Sequence, residues 1–358
     1  MEVFSEKNPN KMEYGIYTLG DLVTDPHTKK ITSPSDRMQQ IIAQAMLAEE
    51  CGLDLFGVGE HHRLDYAVSA PALVLASIAQ ATEKIKLTSA ASVLSTMDPV
   101  RLFEDFSTLD LLSKGRAEIM CGRGAFIESF SLFGYEISEN DALFKEKMSL
   151  LMKLNREKIV SWHGDFRPEL IDAEIAPRPM QEQLPIWIGV GGSPESAAFA
   201  GEIGANMAMA ILKGDALKFK PLADAYWLAV KQAGHDMRRL SLGVTGHAFI
   251  AETTEEAKEL FYPYYANYRA YVHKQRGEEF NLSRAKFEEL TAPDTSLFVG
   301  SPEDVAKKIA AQHKLFHHNR FIAQMDIGGL PASATKSSIR LFAERTIPLA
   351  NKLISEQI

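Results

Sequence analysis

The sequence predicts an α/β protein, a (β/α)8 TIM barrel with insertions on the barrel loops. Three observations carry this. Short apolar runs alternate with amphipathic helical patterns along the 358 residues. Eight such strand–helix units follow one another, which fits a closed barrel better than an open doubly wound sheet. Hairpin signals between the runs are almost absent, so the strands are expected to run parallel and to be joined by helical crossovers.

Each unit has its own signature. "EYGIYTL" (13–19) reads as the first strand. The helix "SDRMQQIIAQAMLAEECG" follows, with Ser35 placed to cap it and Met38, Ile41, Ile42, Ala45 and Met46 at helical spacing; Gly52 suits a left-handed stop. "LDLFGVG" (53–59) is the second strand, and "SAPALVLASIAQATEK" is a helix with Ser69 as cap and Pro71 in the first turn. "IKLTSAASVL" (85–94) is strand three, and "DPVRLFEDFSTLDLLSKG" is a capped helix. Strand four is "RAEIMCG" (116–122), strand five "LPIWIGVGG" (184–192) and strand six "ANMAMAIL" (205–212), with the helix "SPESAAFAGEIG" between the last two. "LSLGVTGHAFIA" (240–251) and "RFIAQMDIG" (320–328) are strands seven and eight, and a closing helix runs through "SSIRLFAERTIPLANKL".

Two segments exceed the simple repeat. Residues 125–183 hold the helical "DALFKEKMSLLMKLN" and then an extended stretch; residues 262–300 are aromatic and then charged, with "YPYYANYRAYVHKQRG". Both are expected as insertions on barrel loops, and long loops in compact folds are often lids. With no low-complexity segment or linker pattern, 1–358 is expected to form a single domain.

Composition excludes several classes. A net charge of -8 with no basic run makes a polyphosphate backbone a poor partner, so no nucleic acid is expected. The two cysteines, Cys51 and Cys121, provide neither a disulfide framework nor a zinc cluster. The N-terminus, "MEVFSEKNPNKMEYG", lacks a signal pattern, and no apolar run approaches the ~18 residues of a spanning helix. A cytoplasmic location without membrane contact is the expectation.

In a barrel the chemistry sits at the C-terminal ends of the strands, which selects the polar residues that matter. "GVGEHHRLDY" (57–66) brings Glu60, His61 and His62 to the end of strand two. A solvated charged loop, a metal site and an acid/base site are the three possibilities. Adjacent histidines on a strand point to opposite faces, and strand one ends without the His-x-His of metal-dependent barrel hydrolases, so metal is set aside. Acid/base or hydrogen-bonding work by a histidine remains, beside the plain charged loop.

"CGRGAF" (121–126) places Arg123 between two glycines after strand four. Its guanidinium is either a planar fork for phosphate or a surface charge on a tight turn. "GVGGSPES" (189–196) runs strand five into a helix start, where backbone N–H groups form an anion site. "GSPE" recurs at 300–303, so the tetrapeptide is chiefly a capping device; the double glycine at the barrel mouth favours anion binding at Gly191, Gly192 and Ser193 and plain capping at Ser301. After strand three, Ser89, Ala90, Ala91 and Ser92 are small enough to let a flat ring approach the backbone, or to pack strand on helix. His247, His317 and His318 are expected to be structural, and Tyr262, Tyr264, Tyr265, Tyr268 and Tyr271 to be helix and interface packing.

The order "GVGEHH", "LTSAASVLSTMDPVRLFEDFSTLDLLSKGRAEIMCGRG", "PIWIGVGGSPES" resembles the bacterial luciferase-like, flavin-dependent monooxygenases, from about residue 13 to about 345 and most specifically between 55 and 125. The style is that of the family's stand-alone oxidoreductases rather than of a light-emitting subunit. The resemblance implies FMN at the C-terminal mouth. His61 matches the histidine that acts as acid/base near the flavin, with Glu60 and His62 as its neighbours. Ala90 and Ala91 match a pair joined by a non-proline cis peptide beneath the isoalloxazine ring. Arg123 matches the phosphate-binding arginine, and Ser193 and Ser196 match phosphate-binding hydroxyls.

Two positions depart from the luciferase pattern. Gly122 stands where the light-emitting subunit has a reactive cysteine, with Cys121 one residue earlier and expected to face the other way. Gly192 stands where that subunit has a glutamate. Both weigh against light emission and an aldehyde preference, not against flavin binding. Barrel phosphate sites commonly use the loops after strands seven and eight, so placing this one after strands four and five rests on the resemblance.

The implied activity is an FMN-dependent monooxygenase that uses reduced flavin and O2 on a small organic substrate, aldehyde-like or other. With no G-x-G-x-x-G fingerprint, the reduced FMN is expected from a separate flavin reductase. The alternatives are a dehydrogenase or reductase of the same superfamily, using flavin or a deazaflavin, and a flavin-binding protein without catalysis. The relatives also imply a homodimer formed through helices two and three.

Overall fold

Short strands of apolar and β-branched residues, each delivered by a helix, close on themselves. In the computed structural model, which describes residues 12–124, 126–274 and 277–357, the ring consists of β1 (Glu13–Thr18), β2 (Leu55–Val58), β3 (Lys86–Ser89), β4 (Ala117–Gly122), β5 (Ile186–Val190), β6 (Asn206–Ala210), β7 (Leu242–Ile250) and β8 (Arg320–Gln324). Each strand pairs in parallel with the next. β8 returns to β1 from Glu13↔Arg320 to Tyr17↔Gln324, so the predicted parallel barrel is closed. Most of the N-terminal stretch "MEVFSEKNPNKMEYG" (residues 1–11) lies outside the described residues, as do 125 and 275–276 within the two expected insertions. Among the described residues no helix is long and apolar enough to cross a membrane.

Strand alternation sorts the side chains. Outward residues such as Phe56, Ile119, Ile188 and Phe321 pack under the helices in the main core. Inward, Tyr17, Leu55, Met120, Trp187, Ala208 and Ile322 fill the barrel. Below them, at the N-terminal ends, lies a charged layer that the strand patterns do not announce. Arg320 pairs with Glu118 and Glu13, each at 2.5 Å, and Lys86 also pairs with Glu13. The Arg320 guanidinium lies 4.0 Å from the Trp187 ring centre.

Several boundaries differ from expectation. Strand three does not run unbroken to residue 94. The Ser89 hydroxyl donates to the Met120 carbonyl at 2.8 Å and accepts from its N–H at 3.0 Å, taking the place of ladder bonds. The Ala90–Ala91 peptide is cis, and pairing with β4 resumes at Ser92–Val93. Ser33, not Ser35, caps the first helix, because Pro34 takes its first position and Ser33 accepts from the Asp36 N–H. Ala70, not Ser69, precedes Pro71, and the helix Pro71–Ala81 has no side-chain cap.

The insertions are also organised differently. Within 125–183, helix Asn140–Arg156 packs against helix Pro99–Ser113 in the helical layer of the barrel, so the added pieces are the short helix Glu128–Phe133 and an antiparallel hairpin, Ile159–Trp162 with Leu170–Glu174. Within 262–300, helix Thr254–Lys274 starts before the expected segment and packs Phe261 and Tyr265 with Phe287 of helix Arg284–Thr291 in a second core. Strand Phe298–Gly300 pairs with β7 outside the ring.

Candidate active site at the barrel mouth

The loops leaving β2, β3 and β4 meet over a narrow cleft lined by Glu60, His61, His62, Val93, Gly124, Phe126, Glu128 and Ser129. Glu60 is buried and both of its oxygens are engaged: one contacts His62 Nε2 at 2.8 Å and the other accepts from the Val93 N–H at 3.1 Å. It therefore ties the end of β2 to the chain just beyond the cis peptide. His62 turns its ring edge-on to Phe133 at 4.8 Å.

His61 lines the same cleft but packs against different partners. Its ring stacks on Tyr66 at 3.9 Å and meets Phe126 edge-on at 5.6 Å. Its backbone N–H donates to Val68, and its Nδ1 is buried without a hydrogen-bond partner. Burial pushes the imidazole pKa down to about 4, against an opposing pull from Asp65. The ring is neutral at neutral pH, with one nitrogen able to donate and the other to accept.

Arg63 and Asp65 link this loop to its neighbours. Arg63 forks onto Asp65 at 2.9 Å, reaches Glu128 at 3.2 Å and lies over the Phe126 ring at 5.1 Å. The Tyr271 hydroxyl donates to the Asp65 carboxylate. Tyr271 thus corrects its assignment to general packing: it joins helix Thr254–Lys274 to the loop after β2. Tyr265 and Tyr268 meet His247 edge-on at 5.7 and 5.5 Å, while Tyr262 donates to the Leu282 carbonyl and Tyr264 meets His27 edge-on.

Ala90 and Ala91 sit between glycines. A Cβ on Gly57 would stand 3.0 Å from the Ala90 Cβ, and one on Gly122 would stand 3.3 Å from the Ala91 Cβ. Gly122 therefore faces the alanine pair, and Cys121 is buried in the outer core, facing the other way as expected.

Arg123 leaves β4 two residues beyond the Cys121↔Ile188 pair, level with the end of β5. Its Nε is 2.9 Å from an Asp141 oxygen and its guanidinium is 4.6 Å from the Phe144 ring centre. On the neighbouring strand, Cβ atoms on Gly191 and Gly192 would meet nothing within 4 Å, so their backbone is open to an approaching group. Ser193 caps helix Pro194–Glu202, accepting from the Ser196 N–H at 3.2 Å, and the two hydroxyls are 2.9 Å apart. Ser301 caps helix Pro302–Phe316 in the same way, beyond the strand outside the ring.

His247 points into the barrel opposite Gln324, buried and pushed down to about 3. His317 and His318 precede β8, at the end of the barrel away from the mouth. Asp21 and Asp326, which follow β1 and β8, were not among the residues expected at the mouth. Both are buried around Arg37, with Asp326 at 2.6 Å and Asp21 at 3.6 Å. Burial pushes the Asp21 pKa up to about 6; Arg37 opposes the shift and Asp326 adds to it. The rule that selected the other strand ends would have found both.

A closed parallel barrel with titratable side chains, an arginine and a helix N-terminus at its C-terminal mouth is the architecture of a barrel enzyme. Residues 12–319 match the luciferase-like monooxygenase family, and the chain belongs to it. Among similar proteins, an uncharacterised Sinorhizobium fredii protein is 32% identical over 61% of this chain, and the match spans 61% of that relative's length. N-acetyl-S-alkylcysteine monooxygenase of Bacillus subtilis is 27% identical over 80% of this chain and 86% of its own. An F420-dependent glucose-6-phosphate dehydrogenase of Amycolatopsis mediterranei is 31% identical over 46% of this chain and 51% of its own.

Two solved structures share the fold. A monooxygenase of Streptomyces bottropensis superposes with a TM-score of 0.80 at 23% identity, covering 94% of this chain and 99% of that one. The oxygenating constituent of 3,6-diketocamphane monooxygenase of Pseudomonas putida, in complex with FMN, gives 0.74 at 20% identity, covering 94% and 98%. Membership of this family makes the chain a flavin-dependent oxidoreductase.

Proposed function

We propose that this chain is an FMN-dependent monooxygenase that uses reduced FMN and O2 to oxygenate a small organic substrate. The observation that carries the reading is that Arg123 and the Gly191–Ser193 turn stand just beyond the ends of two adjacent strands. A guanidinium and a helix N-terminus are the two kinds of group that hold a phosphate monoester. The open backbone at Gly191 and Gly192 fits close approach by such a group, and the Ala90 and Ala91 side chains fit a flat ring beside it.

When bound, the reduced flavin supplies the activation of O2. The protein binds, orients and excludes water. Arg123, Gly191, Gly192, Ser193 and Ser196 hold the phosphate end. Ala90 and Ala91 brace the ring, and Glu60 fixes the loop beyond them through Val93. His61 takes or gives a proton at Nδ1. The Arg63–Asp65–Tyr271–Glu128 contacts hold the loops together over the site and limit water entry.

The reduced FMN comes from a separate reductase, and the chain works in the cytoplasm as a homodimer. The deazaflavin-using dehydrogenase reading draws support from the F420-dependent relative. Oxygen uptake with reduced FMN and a substrate panel separates the two: the monooxygenase consumes O2 in step with product, and the dehydrogenase does not. In FMN titrations, Arg123→Ala should weaken binding roughly 10- to 100-fold, the value of a charge-assisted contact. An affinity within a factor of two of the parent protein would rule out the phosphate assignment.

A further inference from the structure

The start of helix Asn140–Arg156 holds Arg123 from three sides. Asn140 Nδ2 donates to the Arg123 carbonyl at 3.4 Å, and Asn140 Oδ1 accepts from the Ser95 hydroxyl at 2.7 Å. The helix start is thereby tied to the segments leaving both β3 and β4. Asp141 Oδ1 lies 2.9 Å from Arg123 Nε, and Phe144, one turn on, stacks against the guanidinium at 4.6 Å. Asp141 has a second cation within reach, Lys145 at 3.4 Å. Its side chain is 68% exposed, against 21% for that of Arg123, so a solute can reach and displace it.

A carboxylate on a guanidinium presents the same kind of acceptor oxygens as a phosphate. The Arg123 Nε–H is buried and makes no hydrogen bond, so Asp141 holds the guanidinium through charge, and a phosphate competes for that same charge. Asn140 and Phe144 are neutral and orient the arginine whichever anion it holds. We propose that Asp141 is a displaceable counter-anion of Arg123, holding the guanidinium ready until a phosphate monoester takes it and then keeping only Lys145. This rests on the reading of Arg123 as the phosphate anchor. Asp141 then sets how tightly a phosphorylated flavin is retained, which suits a cofactor that arrives reduced and leaves oxidised.

Asp141 also lies in the first turn of a helix and four residues before Lys145, both ordinary stabilising positions. Those roles affect unfolding but do not distinguish FMN from riboflavin, which differ by the phosphate alone. The test is fluorescence titration of both flavins onto the full chain, with Asp141→Asn, Arg123→Ala and the double variant.

Asp141→Asn should bind FMN about two- to fivefold more tightly, the scale of an exposed ion pair, and leave riboflavin unchanged. Inorganic phosphate should compete with FMN at correspondingly lower concentration. In the Arg123→Ala background the substitution should do nothing to FMN. Unchanged or weaker FMN binding by Asp141→Asn overturns the proposal, and so does equal tightening toward riboflavin. If the parent chain binds FMN no better than riboflavin, the anchor and the counter-anion fail together. A clear preference for FMN with a silent Asp141→Asn removes the counter-anion alone. Asp141→Ser repeats the comparison if the amide destabilises the helix start.

Discussion

His61 is held between two aromatic rings, and that setting decides its proton chemistry. An unfolded histidine titrates near 6.5 and the folded one at about 4. Between those values the unfolded chain binds more protons, so stability falls as pH drops through the window, by at most about 1.4 kcal/mol per pH unit for this group. His247, at about 3, has the same sign and extends the loss further into acid. Asp21, at about 6, has the opposite sign: the folded state holds its proton more tightly, so its contribution declines as pH rises from about 4 to 6. His61→Gln should therefore flatten the acid limb, and urea unfolding at pH 6.5 and 4.5 measures it. Parallel curves for variant and parent would show that His61 is not buried neutral. His61 was legible because a strand end announces itself in the sequence. Asp141 was not, because its approach to Arg123 depends on how Asn140 and Phe144 dock a helix. Asp21 and Asp326 meet only because the barrel closes β8 onto β1.

Elements were legible wherever periodicity and strand alternation act locally. All eight ring strands and the Asp98, Ser193 and Ser301 caps were read from such signals. The misses share a cause in tertiary contact. Ser89 diverts its hydroxyl to Met120, which no β-pattern encodes. Helix Asn140–Arg156 looked like part of an insertion because its place in the helical layer is fixed by packing against Pro99–Ser113. Tyr271 looked like packing because its partner, Asp65, lies on a different loop. That link joins the helix after β7 to the loop over His61, and through Arg63 to Glu128. Tyr271→Phe should cost about 1 kcal/mol or less in global stability, the scale of one hydrogen bond. It should nonetheless speed hydrogen exchange in 60–68 and 126–133, and raise hydrogen peroxide released per O2 consumed. Exchange rates equal to the parent's in both segments would show that the hydroxyl does not latch the loops.

At the scale of the whole molecule, the barrel separates a charged floor from the proposed site at its mouth. Arg320 and Glu118 are almost fully buried, so removing one partner strands a charge. Arg320→Met should cost about 3–5 kcal/mol in urea unfolding while leaving FMN affinity of the folded protein unchanged, since the floor lies a full layer of side chains below the mouth. An equal loss of flavin binding would mean that the two ends are coupled. The outer surface bears on the proposed homodimer. Leu73 on helix Pro71–Ala81 is 72% exposed, and Leu111 and Leu112 on the adjoining helix Pro99–Ser113 are 48% and 47% exposed. Exposed leucines on neighbouring helices are the natural centre of an interface between copies, and these are the two helices expected to pair. A dimer through them would leave both barrel mouths facing solvent, since helices flank the barrel and the site opens at its end. Leu73→Asp with Leu112→Asp should then convert the dimer to a monomer in light scattering while each monomer keeps its FMN affinity. A dimer that survives both charges must pair through another face, and a parent chain that is monomeric at micromolar concentration removes the homodimer altogether.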